Sequence, residues 1–172
     1  ISVPLQTNFT LMQPGKTQTL KISDKNNSGW ILTDDTEKAF LPKIFTQDEK
    51  EIGDEIEVFV YQDDHKLKAT TEMPLAEVGE FAVMSCVQSL PSGAFMDWGL
   101  EKDLFVPFNN QREPMQAGRK YVVYIYLDDS SDRIVGTTKY AKYLQEAGEE
   151  LQEGQKVNLT VINLTDLGYN VI

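Results

Sequence analysis

Histidine and cysteine are nearly missing from this chain of 172 residues, which holds one of each, His65 and Cys86. A single imidazole in the polar run Asp63-Asp64-His65-Lys66 offers no basis for a Ser-His-Asp relay. One thiol cannot form an intrachain disulfide, and one Cys with one His cannot make a zinc site. Long apolar runs are missing too, so nothing approaches the roughly 20 residues of a membrane-spanning helix. The start, Ile1-Ser2-Val3-Pro4, lacks the basic segment and apolar core of a signal peptide. It also lacks an initiator Met, so the chain is expected to be a piece of a longer protein. The lone cysteine fits a reducing, cytoplasmic setting. Basic charge is scarce: 16 Lys and Arg stand against 27 Asp and Glu, a net of −11. That argues against a protein gripping duplex DNA through many phosphate contacts. There is neither a Walker A sequence nor a dinucleotide fingerprint. The acidic turns Asp63-Asp64 and Asp128-Asp129-Ser130-Ser131-Asp132 lack the glycine and terminal glutamate of a calcium loop, and read as solvated hairpin turns. No enzyme activity, cofactor or metal is expected.

What is present is a repeat, the first thing to look for because it decides the fold. Gly15 and Gly29, Gly79 and Gly93, and Gly154 and Gly168 each lie 14 positions apart. The first two units agree further on. Phe40-Leu41-Pro42 matches Phe105-Val106-Pro107, Gly53 matches Gly118, and Ala69-Thr70-Thr71 matches Gly136-Thr137-Thr138. The offset drifts only from 64 to 67, which places one- or two-residue insertions in turns. Unit one spans residues 8–73, unit two 75–140, and a truncated third unit 151–172. Two strands cannot close a barrel, so the third unit must lean on something else or pair with another copy.

Alternation with period two marks half-buried strands, and aligning the units tells which face is inside. Leu20 and Ile22, then Ala82, Met84 and Cys86, then Val157, Leu159 and Val161 share an inward parity. Trp30 and Leu32, Ala94 and Met96, and Tyr169 and Val171 do the same on the next strand, and Val58 and Val60 align with Val123 and Ile125 on a later one. Phe81 and Phe95 have outward parity, as do Tyr124 and Tyr126, which align with Phe59 and Tyr61 and suit packing between units. Trp98 has inward parity and reads as core or barrel lid. Each unit therefore reads as four or five short strands, and five curled into a closed barrel remove most exposed edges. Tyr140, Tyr143, Leu144 and Ala147 fall at helical spacing within Lys139–Leu151, which predicts a short helix linking units two and three.

Gly93-Ala94-Phe95-Met96-Asp97, followed by Asp103-Leu104-Phe105-Val106-Pro107, resembles the S1 RNA-binding motif, whose pattern is Gly-Ala-Phe-Val-Asp and then Gly-Leu-Val-His-Ile-Ser. The longer run from Gly93 to Phe108, with Tyr121–Asp128 and Asp132–Val135, is similar to the conserved virulence factor B, or YitL-like, family. The resemblance covers unit two well, unit one loosely, and the start of unit three. It implies an all-β chain of tandem S1-like OB-fold five-stranded barrels that binds single-stranded RNA, with further parts, a winged helix among them, beyond Ile172. Phe95 matches the aromatic on which bases stack in such domains. The family's binding His is matched by Val106, a departure. Unit one has Ile31 and Leu41 at these two positions, which gives it the weaker claim to bind RNA and suits a spacer role.

Stacking on an aromatic tolerates any base, because every base has a π face. Phe95 and Phe81 are therefore the candidate stacking residues. Lys102, Arg112, Arg133 and Lys139, with Arg119 and Lys120, are the candidate phosphate contacts. Neither unit is basic: residues 79–138 hold five basic and eight acidic residues, and residues 15–71 eight and twelve. The role expected is regulatory or RNA-processing. The rival reading is a protein–protein adaptor acting through the acidic or aromatic faces. A weaker one is an oligosaccharide module using Trp98 beside Asp97.

Overall fold

A computed structural model of the chain describes residues 11–45, 50–63, 66–144, 154–156, 159–166 and 168–172. The first five strands are β1 (Thr17–Asn26), β2 (Gly29–Thr33), β3 (Lys38–Pro42), β4 (Glu55–Asp63) and β5 (Lys66–Thr70). They close into a barrel in the order β1-β2-β3-β5-β4. All neighbours are antiparallel except β3 and β5, which meet at Phe40 and Lys68 to seal it. The next five are β6 (Phe81–Leu90), β7 (Gly93–Met96), β8 (Leu104–Pro107), β9 (Lys120–Asp128) and β10 (Arg133–Thr137), in the order β10-β9-β6-β7-β8. The all-β fold with two five-stranded units is as the alternation predicts.

The inward parity holds. Leu20, Ile22, Trp30, Leu32, Val58 and Val60 are buried in the first unit, as are Met84, Cys86, Ala94, Met96, Val123 and Ile125 in the second. Each such aliphatic side chain contributes about 1.5–3 kcal/mol by leaving water. Both long first strands carry a bulge at the same place, between Ile22 and Asp24 and between Cys86 and Gln88. A bulge bends and twists its strand, which lets β1 and β6 pair with one neighbour at each end of a small barrel.

The second glycine of each repeat has a packing reason. Gly29 faces Pro42 and Gly93 faces Pro107 across the ladder. A Cβ on Gly29 would lie 2.1 Å from the Leu41 carbonyl oxygen, and one on Gly93 would lie 2.5 Å from that of Val106. Only glycine admits this approach. The second unit also closes differently from the first. Among the described residues β8 and β10 share no ladder. Gly136, where the first unit has Ala69, lets β10 press close, since a Cβ there would be 2.8 Å from Val106. The seam is held by Thr138 N–H and Thr137 Oγ1, both donating to the Asn110 carbonyl at 3.0 and 2.9 Å.

The two units are welded together. Phe59 projects from the outside of β4 and is fully buried in the core of the second unit. Its ring meets Trp98 edge-on, with centroids 5.4 Å apart. The Trp98 indole N–H donates to the Ala76 carbonyl at 2.8 Å. Gly15 N–H donates to Val60 and Val78 N–H to Gly15, at 2.7 and 3.0 Å, so the connection after β5 is stitched to the start of β1.

The predicted linking helix is replaced, as far as the chain is described, by one 3₁₀ turn at Tyr140–Tyr143, after which Leu144 is extended. Residues 145–153 lie outside the described residues. The turn forms because Tyr140 and Tyr143 dock on the second barrel. The Tyr143 ring stacks on Tyr124 at 4.0 Å, a tertiary attraction that helical spacing alone does not reveal. The third unit shows β11 (Val161–Thr165) and β12 (Gly168–Val171) as an antiparallel pair. Leu159 and Val161, given inward parity by alignment, are more than half exposed here, because two strands enclose nothing.

Candidate functional site

The outer face of β6, β7 and β8 carries the site. In register, Gln88, Phe95 and Phe105 form one row across the three strands. Phe95 and Phe105 are both half-buried, with ring centroids 5.1 Å apart and planes tilted by 43°. The Phe105 ring also lies over Gly93, 2.7 Å from where a Cβ would stand, so the glycine that admits the Val106 carbonyl also gives this ring its seat.

Phe105 is a residue that the motif comparison missed. Aligning the family's His with Val106 looked at the wrong side of the strand, because Val106 is fully buried in the core. The parity that marks Leu104 and Val106 as inward places Phe105 outward and would have found it.

The surroundings of the ring pair are polarised. One row along lie Leu90, Gly93 and Pro107, and beyond them Phe108, with Leu90 and Phe108 exposed. The turn Phe108–Asn110 comes directly after β8, and cations gather at it. Lys139 Nζ donates to the Asn109 carbonyl at 2.8 Å. Arg112 is tied in beside it, its backbone N–H donating to Thr138 Oγ1 at 2.8 Å. On the opposite side stand Asp97 and Asp103. Partial burial raises the pKa of Asp103, and the neighbouring Asp97 charge raises it further.

The other proposed residues are placed elsewhere. Phe81 opens β6 opposite Tyr124, seven residues along the strand from Gln88, roughly 23 Å from the Phe95 row. Its ring packs at 4.8 Å on Tyr124 and edge-on at 5.6 Å on Tyr140, within an aromatic cluster that includes Tyr126 and Tyr143. The packing expected of Tyr124 and Tyr126 is thus supplied by the segment leaving the unit. Lys102 contacts the Asp63 carboxylate across the junction, where Lys68 joins it. These hydrogen bonds from Lys102 and Lys68 lower the Asp63 pKa. Arg133 sits at the start of β10 and lines a cleft between the barrels. The acidic turn after β9 satisfies itself, with Ser130 and Ser131 hydroxyls donating to Asp128 at 2.7 and 2.6 Å. Burial raises the pKa of the Cys86 thiol, as its core position predicts. His65 and Asp64 lie outside the described residues, among which no helix is long and apolar enough to cross a membrane.

A family model described as the S1 domain matches residues 14–72. Over that span the first barrel is similar to S1 domains. The match falls on the unit with Ile31 and Leu41 at the two motif positions. The likeness to the YitL-like family is borne out as well. The chain is 34% identical over 97 residues to the uncharacterized protein YitL of Bacillus subtilis (strain 168), a match covering 55% of this chain and 33% of YitL. A crystal structure from Streptococcus pneumoniae TIGR4, described as a multidomain protein with nucleic acid binding domains, superposes with a TM-score of 0.63 at 22% identity. That superposition covers 92% of this chain and 58% of the other, so the shared fold extends past the first barrel into the second. The chain thus spans about a third of YitL and somewhat over half of the streptococcal protein.

Proposed function

We propose that this chain binds single-stranded RNA through the outer face of the second barrel, as a cytoplasmic regulatory or RNA-processing module with no catalytic role of its own. The observation that carries the reading is the Phe95–Phe105 pair, two rings side by side on the outside of a small barrel. Stacking one base on such a ring is worth about 1–3 kcal/mol and needs no particular sequence. The polarity around the rings sets the direction. Phosphates are drawn to Lys139 and Arg112, while Asp97 and Asp103 repel them. Two cations predict a shallow salt response, a slope in log affinity against log salt of roughly −1.5. S1 and OB units acting on nucleic acid in this way fit the streptococcal protein's description as one with nucleic acid binding domains.

The test is fluorescence polarisation of a labelled single-stranded RNA with the full chain at low salt. Phe95→Ala and Phe105→Ala are each expected to weaken binding about tenfold or more, with a loss of roughly 1–2 kcal/mol in unfolding that leaves the chain folded at assay temperature. Absence of binding by the intact chain would overturn the reading. It would favour the adaptor alternative, for which the exposed Val87, Leu90 and Phe108 supply a surface.

A further inference from the structure

Phe105 belongs to two places at once. It is half of the ring pair, and it also lines a cleft of about 290 Å³ at the junction of the two barrels. The cleft walls are aromatic and aliphatic: Tyr61 from β4, and Trp98, Leu100 and Ile134 from the second unit. That volume is at the lower edge of the roughly 300–1,000 Å³ usual for small-molecule sites. It suits one planar heterocycle and excludes a duplex.

The polar groups of the cleft divide into those that are used and those that are free. The Trp98 indole N–H is spent on the Ala76 carbonyl, and Asp63 is neutralised by Lys68 and Lys102. Glu72 accepts the Glu101 backbone N–H at 3.2 Å. The carboxylates of Glu101 and Asp103 and the guanidinium of Arg133 also line the cleft, and make no hydrogen bond or ion pair among the described residues.

Ionised carboxylates only accept hydrogen bonds. A base that enters must therefore present donors on its edge. Guanine presents two adjacent ones, its ring N–H and its amino group. Uracil presents a single N–H between two carbonyl oxygens, which the carboxylates repel. Arg133 can take the phosphate of the same nucleotide, as a planar donor fork suits. The cleft thus offers the carboxylates of Glu101 and Asp103 to the base edge and the guanidinium of Arg133 to its phosphate.

We propose that the cleft between the barrels receives one unstacked base of an RNA strand lying on Phe95 and Phe105, and that Glu101 and Asp103 make it select guanine over uracil. This rests on the RNA-binding reading above and adds a second subsite and a base preference to it.

Two probes separate the inference from its parent: a short oligouridine, and the same strand with one internal guanosine. Affinities are read by polarisation. In parallel, ¹⁹F NMR of the full chain labelled with 5-fluorotryptophan tracks Trp98 in the cleft against Trp30 in the first core. The guanosine probe is expected to bind about tenfold tighter, the factor one good pair of hydrogen bonds confers, and to shift the Trp98 signal alone. Glu101→Gln with Asp103→Asn is expected to bring the two probes within about twofold of each other. Equal affinities in the unaltered chain, with Phe95→Ala weakening both, would sink the cleft and leave the stacking face standing. A guanosine preference that survives the double substitution with Trp98 unmoved would sink it too. Failure of both probes to bind would remove both readings together.

Discussion

The first and second barrels repeat the same strand order, the same bulge and the same close-approach glycine, yet they spend their outer aromatics in opposite ways. In the first, Phe59 on β4 is driven into the neighbouring core against Trp98. In the second, the matching strand β9 carries Tyr124, which is covered by Tyr143 from the exit segment. On the opposite face, the first barrel pairs Ile31 with Phe40 where the second pairs Phe95 with Phe105. One unit has become an anchor and the other keeps a ring pair open to water. The lesson is that a repeated backbone leaves the outer positions free to diverge, because only the inward positions are held by the shared core.

The comparison can be broken or sharpened by substitution. The largest effect is expected at the anchor. Phe59→Ala should cost about 3–5 kcal/mol in urea unfolding, since it empties a fully buried aromatic site at the junction. Its counterpart Tyr124→Ala should cost roughly 1–2 kcal/mol, the worth of a half-buried ring stack. Equal losses would mean that the two outer aromatics are not used differently. Next comes Gly93→Ala. With the Val106 carbonyl and the Phe105 ring both inside contact distance, it should destabilise the second barrel by roughly 1–3 kcal/mol and also displace Phe105. Paired measurements of unfolding and RNA affinity should move together here, whereas Phe95→Ala should lower affinity about tenfold for a loss of only roughly 1–2 kcal/mol in unfolding.

A transplant comes third. Ile31→Phe recreates the ring pair on the first barrel. It should raise affinity for a long single strand a few-fold at most, because the Lys139 and Arg112 counterparts are missing there; a large gain would make the rings sufficient by themselves. The smallest effect concerns acid. In the first barrel the β2–β3 turn is organised by Asp34. Burial raises its pKa, but hydrogen bonds from Glu37, Thr36 and Met12 outweigh this and hold it at about 2. A carboxylate whose folded pKa lies below its unfolded value stabilises the fold fully above about pH 4 and loses that contribution as pH falls through the folded value. The position in the second barrel is Trp98, which does not titrate. NMR titration of the Asp34 carboxyl should show a midpoint near 2, and Asp34→Ala should remove the acid sensitivity of that turn while leaving the second barrel unaffected.

Much of this was legible in the chain itself. The glycine spacing and the inward parity of Leu20, Met84, Val58 and Val123 located the units and their cores, because burial against a shared interior repeats with the strand period. Phe95 was legible as an outward aromatic. Phe105 was hidden by aligning a motif letter by letter, which set Val106 against a histidine and overlooked the pleat. The aromatic spacing around Tyr140 suggests a helix but serves a docking turn. The separation of Phe81 from Phe95 was not legible at all: two outward residues on adjacent strands meet only if the register brings them level.

By itself, the order of residues determined the strands, which side of each faces inward, and where glycine must stand. These depend on local geometry and on hydrophobic burial, both of which act along the chain. Tertiary structure alone decided which outward rings stay open, which are buried by a neighbour, and that a cleft with free carboxylates lies beside Phe105. Those outcomes depend on register and on packing between units, where residues far apart in sequence meet, and no period in the sequence encodes them.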